Sequence, residues 1–280
     1  MSRTRQIHHS NGMTLVDVVV AILLLTLFAG AALPAVVGKS NEAANRVNCA
    51  KNLELIANGL LLYANEVNGA YPRTGFDLKA NKITAYTGAD SKSPFAKDTK
   101  VEANDVTAPL FLLLRTGDLP PKALVCPSSG KQPLDPEKYS LLEHSNFANA
   151  ESLSYSMQVP YPNPEAIKAG FRWTNTLKLE VIVAADMNPG AEILTKLTPL
   201  SPPAELRKGN SLHHNGDGQN ILCGDMHVEF VDNPFCGFND DNFYTYGPSG
   251  KGQKTGGLGF LSQPITSNDD SLVLPTVLQK

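Results

Sequence analysis

The stretch Gly12-Met13-Thr14-Leu15-Val16-Asp17, running straight into VVVAILLLTLFAGAALPAVV over Val18 to Val37, decides how this chain is read. A glycine closes a short polar segment, a single carboxylate follows five residues later, and twenty residues then pass without a charge. As a helix at about 1.5 Å per residue those twenty would extend ~30 Å, enough to cross a bilayer core. Pro34 sits near the far end, where a missing backbone donor would bend the helix. Asp17 is the anomaly, since a carboxylate in a membrane costs about 2.5–3.5 kcal/mol at a helix centre and less near an end.

Three readings compete for this segment. An ordinary secretory signal would be cut on the far side, where Ala29-Gly30-Ala31 offers small residues. A plain membrane anchor explains the apolar run but not Asp17. Cleavage after Gly12 would instead free an ammonium on Met13, close to Asp17, and give the carboxylate a partner in its own or a neighbouring chain. An intramembrane acid with an obvious partner reads as functional. Arg3 and Arg5, with no acid among residues 1–12, would keep that end cytoplasmic.

The helical pattern continues past Gly38. Ala43, Val47, Ala50, Leu53, Ala57, Leu60, Leu61, Ala64 and Val67 form one stripe at helical spacing. Asn68-Gly69 and then Pro72 stop it. One helix is therefore expected from Thr14 to Val67, bent at Pro34 and Gly38, apolar all round in its first half and amphipathic over 41–67.

Gly12 through Pro34 resembles the cleavage and methylation signal of type IV pilins and type II secretion pseudopilins. Met13 stands where phenylalanine is usual, and Asp17 where glutamate is usual. Arg46-Val47-Asn48-Cys49, Asn52-Leu53, Tyr63 and Gly69-Ala70-Tyr71-Pro72 resemble the post-membrane block of the planctomycete-type pilin-like family with a C-terminal H-x9-D-G signature. Cys126-Pro127-Ser128 and Ala185-Asp186-Met187-Asn188-Pro189 are similar to pieces of the same family. The resemblance implies a leader peptidase that cuts after Gly12 and methylates Met13. It also implies assembly through Asp17 and a helix-kinking Pro34.

The bulk composition argues against nucleic-acid binding, with a net charge of −3 and a pI near 6.1. Charged residues make up 18%, below the roughly 25% usual for soluble domains. The 22 glycines and 20 prolines imply many turns after the helix. Tyr71 to about Thr107 reads as loop, 109–115 as a short buried helix ended by Gly117, and 123–129 as a strand end and turn. Strands are expected at 152–157 and, as a buried apolar run, at 179–186. Asn220 to Val231 reads as a β-hairpin.

The densest polar cluster is His213-His214-Asn215-Gly216-Asp217-Gly218 with Asp225 and His227. Such groups could hold a metal or act as a base. The favoured reading is a structural turn shaped by His214 and Asp225, where the family has its signature. Ten residues rather than nine separate the two, and Met226 replaces the signature glycine. Asp240 and Asp241 are weak calcium candidates without EF-hand spacing. Cys49, Cys126, Cys223 and Cys236 contain no C-x-x-C and allow three disulfide connectivities. One of these, Cys223 with Cys236 and Cys49 with Cys126, would staple helix to head.

The expected architecture is α+β: a pilin-like long N-terminal helix, transmembrane in its first half, packed on an antiparallel β-sheet head with long loops. The boundaries are a leader at 1–12, the helix at 13–68 (transmembrane about 15–37), a β-rich head at 69–247 and a flexible tail at 248–280. The expected role is a structural pilin-like or pseudopilin subunit rather than an enzyme, without a catalytic residue or a resident cofactor. Its partners would be the inner membrane, a prepilin peptidase, copies of itself or other pilin-like subunits, and pilus or secretion assembly machinery, not nucleic acid. It would pass once through a bacterial inner membrane, N-terminus cytoplasmic and head periplasmic, or sit in an extracytoplasmic filament. The alternatives are a membrane-anchored exported ligand-binding protein and a metal-dependent hydrolase using His214, Asp225 and His227.

Overall fold

The computed structural model describes residues 15–80, 82–247, 257–258 and 271–276, with side-chain detail for all of these except 17, 23, 25–40 and 257–258. Two compact units divide the chain, Met1–Ala44 and Asn45–Lys280. Helix α1, Leu15–Glu66, runs through the boundary between them. Gly12 and Met13 lie outside the described residues, and Asp17 and Pro34 fall in α1 outside the described side chains.

In the first unit, Leu15, Val16, Val18, Val19, Val20, Ile22 and Leu24 are exposed. No helix among the described residues is long and apolar enough to cross a membrane. This corrects the transmembrane first half expected over about 15–37. It also corrects the single-pass inner-membrane placement with a cytoplasmic N-terminus and periplasmic head.

In the second unit α1 packs through Cys49, Leu53, Ile56, Ala57, Leu60 and Ala64, all buried. The stripe is rotated from the one read in the sequence: Val47 and Val67 are exposed, and Cys49 points inward instead. Cys49 is in phase with Leu53, Ile56, Leu60 and Ala64, whereas Val47 is not, and the Cys49–Cys126 disulfide ties that face to the core. Burying Leu53, Ile56 and Leu60 contributes about 1.5–3 kcal/mol each. The helix stops where expected. Asn68 and Gly69 adopt positive φ (51° and 84°), and the Gly69 amide donates to the Ala64 carbonyl at 2.8 Å.

Helix α2, Ala108–Thr116, matches the expected buried helix, with Gly117 at φ 83° as its left-handed cap. Residues 121–124 and 127–129 are 3₁₀ turns, not the expected strand end, because Pro120, Pro121 and Pro127 favour turn geometry and supply no amide to a ladder. Two further short helices, α3 (Pro164–Lys168) and α4 (Pro203–Leu206), lie in the loops between strands.

The principal sheet contains β1 (Tyr155–Gln158), β2 (Ile182–Asp186), β3 (Gln219–Cys223) and β4 (Val228–Val231), with β9 (Val273–Leu274) beyond β1. Its order is β4-β3-β2-β1-β9, antiparallel throughout. Short ribbons pair β5 (Phe235–Gly237) with β6 (Asp241–Asn242), and β7 (Thr245–Tyr246) with β8 (Gly257–Leu258). Met157, Val183, Leu222 and Leu274 join the core that contains Leu53, Ile56 and Leu60 of α1. Ile221, Cys223 and Val273 join a second cluster with Phe243 and Tyr244. With both faces covered, β2 is buried at every position, which accounts for its unbroken apolar run. The expected flexible tail over 248–280 is corrected in one part: residues 271–276 are buried, and β9 pairs with β1. The rest of that range, apart from 257–258, lies outside the described residues.

Candidate functional site

Four segments converge at the junction of α1 and the sheet. Cys49 of α1 and Cys126, just before the 127–129 turn, form a disulfide with Cα atoms 5.3 Å apart. Asp186 ends β2, fully buried, and its Oδ2 accepts from the backbone amide of Asn220 at 2.7 Å and from Asn220 Nδ2 at 3.2 Å. His214, also fully buried, places Nε2 3.3 Å from Asp186 Oδ2 and 3.6 Å from Cys126 Sγ. Its Nδ1 faces Ser128 Oγ at 3.3 Å. His213 Nδ1 lies 3.8 Å from Asp186 Oδ1, too far for a hydrogen bond.

Backbone geometry makes this convergence possible. His214, Asn215 and Gly216 all take positive φ, turning the chain tightly enough to drive the imidazole inward. Gly218 is needed next to it, because a Cβ there would lie 2.3 Å from the Val231 carbonyl oxygen. Outside the buried layer, the Arg46 guanidinium lies over Phe230, 4.6 Å from the ring centroid, and bonds Asp217 at 2.6 Å. Arg207 reaches the other oxygen of Asp217 at 3.2 Å. Phe230 in turn meets His214 edge-on at 6.1 Å.

Burial alone would raise the pKa of Asp186. The imidazoles of His213 and His214 outweigh it and hold the carboxyl down at about 2. The carboxylate is thus ionic in the folded chain at neutral pH. Asp186 and His214 are each fully buried, and the arrangement fastens the end of β2 to the turn before β3. Cys49, Cys126, Asp186 and His214 bring their ligand atoms within 4.8 Å of one another, but both sulfurs are used in the disulfide.

The structure separates the two residues expected to shape one turn. His214 packs against Asn220 near the start of β3, whereas Asp225 follows the end of that strand, roughly 15 Å of extended chain away. Asp225 caps the β3–β4 turn, its Oδ1 2.5 Å from His227 Nδ1, with both side chains nearly half exposed. The hydrolase trio His214, Asp225 and His227 is therefore not assembled. Asp240 is exposed and Asp241 buried, and neither belongs to a converging group of three ligand side chains among the described residues. Cys223 and Cys236 are free thiols, so of the expected pairings only Cys49 with Cys126 is formed. Burial pushes the Cys223 thiol up to about 12 and the Cys236 thiol well above its ordinary value.

Asp186, Asn220, Ser128 and Arg46 are the site residues that the sequence reading did not assign. One signal was present: an acid closing an otherwise apolar strand needs a buried partner, and the paired histidines were the candidates. No family model, no curated protein and no solved structure matches this chain.

Proposed function

We propose that the chain is a structural, pilin-like filament subunit, made competent by cleavage after Gly12 and assembled with copies of itself. The observation that supports this reading is the uncovered apolar surface at the start of α1, where Leu15 is 81% and Val16 65% exposed. Val18, Val19, Val20, Ile22 and Leu24 extend it. Water-exposed apolar residues in consecutive turns favour association, and each one fully buried contributes about 1.5–3 kcal/mol. Equivalent helices of other copies are the matching cover, packing side chain into groove as helix bundles do. In such a bundle the Met13 ammonium would pair with the Asp17 carboxylate of a neighbour and fix the axial register. Either charge left alone in an apolar core would be strongly unfavourable.

Mass spectrometry of the mature N-terminus tests the processing step. A chain beginning at methylated Met13 is expected; one beginning at Ala32, or retaining Met1, rejects the reading.

A ligand-binding head is the second reading. It is favoured by a cleft of about 410 Å³ whose lining includes Tyr71, Phe76, Trp173, Arg73 and Arg172. Aromatic faces beside two guanidinium groups suit an anionic ligand with an apolar side.

A further inference from the structure

The β3–β4 hairpin carries a second group of polar side chains, distinct from the buried site. Its register pairs Ile221 with Glu229 and Leu222 with Val228. The Cys223 amide donates to the His227 carbonyl at 3.0 Å, extending the pairing by one step. Side chains alternate faces along a strand, so Cys223, His227 and Glu229 share the face of Ile221. Cys223 and His227 stand opposite each other, with Glu229 diagonal to Cys223. The three offer one sulfur, one nitrogen and one oxygen, all within 4.8 Å of one another.

The orientation of His227 is already fixed. Its Nδ1 is held by Asp225 Oδ1 at 2.5 Å, and the same oxygen accepts the His227 amide at 3.1 Å. Nε2 is left directed at Glu229, 3.8 Å from Oε1. A carboxylate on the far nitrogen of a histidine is the usual outer partner of a metal-bound imidazole. Tetrahedral zinc with bonds of ~2.0–2.1 Å places its nitrogen and oxygen ligands roughly 3.3 Å apart, so the observed gap needs to close by about half an ångström.

The turn that carries these residues is tightly held. Met226 takes φ 70° and donates to the Cys223 carbonyl at 2.9 Å. A Cβ on Gly224 would come 1.9 Å from the Lys178 carbonyl oxygen, so this position requires glycine. His227 and Glu229 are about half exposed, which leaves an approach for an ion, while Cys223 is buried behind them.

We propose that Cys223, His227 and Glu229 bind one zinc ion, with Asp225 as the positioning residue for His227 and water completing the coordination. Thiolate, imidazole and carboxylate together select a borderline-soft ion over calcium or magnesium, which favour oxygen alone. As the zinc–sulfur bond forms, the Cys223 S–H bond breaks and its proton leaves to solvent. No electron is transferred.

Zinc titration of the chelator-treated full chain against a chromophoric competitor tests this. One zinc per chain is expected, with Cys223→Ser and His227→Ala weakening binding about a hundredfold or more. Asp225→Asn should weaken it about 10–100-fold. Substituted cobalt should show a sulfur-to-metal charge-transfer band that Cys223→Ser removes. Absence of stoichiometric zinc in the unmodified chain overturns the proposal. Since Cys223 is buried and its replacement can disturb folding, the exposed variants Asp225→Asn and Glu229→Gln decide independently: unchanged zinc affinity in both also overturns it.

Discussion

Two aspartate–histidine pairs flank β3, one before the strand and one after it, and they use the same chemistry under opposite conditions. Asp186 and His214 are fully buried, 3.3 Å apart, and lock to Asn220, Ser128 and the Cys49–Cys126 disulfide. Asp225 and His227 approach more closely, at 2.5 Å, yet are nearly half exposed on a turn. The shorter contact is the weaker contributor to the fold, because water can replace either partner at the surface and cannot at the buried site. Burial, not distance, separates a structural pair from one available for other work.

The sharpest way to break the contrast is to remove the fastening around the buried pair. Reducing the Cys49–Cys126 bond opens a loop closed across 77 residues, and on the chain-entropy account this costs roughly 4–5 kcal/mol. Urea unfolding with and without a thiol reductant should show that loss, while Cys223 and Cys236 contribute no bond to it.

Removing the buried acid comes next. Asp186→Ala leaves the Asn220 amide without its acceptor and the buried His214 imidazole without its carboxylate partner, so a loss of about 3–5 kcal/mol is expected in the same measurement. Protonation is the gentler version. The Asp186 carboxyl sits at about 2 in the folded chain, below its ordinary 3.8. Its contribution is therefore present above the unfolded value and is lost as pH falls from about 4 through 2, on the order of 2 kcal/mol in all. Unfolding midpoints at pH 5 and pH 2 should differ less in Asp186→Asn than in the unmodified chain.

The exposed pair should give the smallest effect on stability. In the chelator-treated, zinc-free chain, Asp225→Asn is expected to leave the urea midpoint unchanged within error, even though the contact it removes is the closer of the two. A midpoint shift as large as that of Asp186→Ala would erase the distinction between the pairs.

Much of the fold was legible from the chain. The stop at Asn68-Gly69, the buried helix before Gly117, the apolar strand ending at Asp186 and the hairpin from 219 to 231 all follow from local signals. The face of α1 that packs was less legible. Helical phase separates Val47 from Cys49: at about 100° per residue Cys49 lies roughly 40° from buried Leu53 and Val47 roughly 120° away, and Ile56, which the sequence stripe left out, carries that phase. The candidate site was half legible. His214 and Asp225 were joined by resemblance to a family signature, whereas Asp186 reaches His214 only because β2 lies beside β3 in the sheet. The expected membrane span failed on a different ground. Periodicity and hydropathy extend over residues 15–37 of the sequence, but no helix among the described residues is long and apolar enough to cross a membrane.

Strand β9 carries one more consequence. It pairs Leu274 with Met157 and Val273 with Gln158, covering an edge of β1 that would otherwise present unpaired amides and carbonyls. The chain leaves β1 more than a hundred residues before it supplies that cover. While the head is being made, β1 is a free template for any extended segment nearby. The order of synthesis therefore exposes an adhesive border until β9 is made. Crowded nascent copies could pair along this border before β9 covers it.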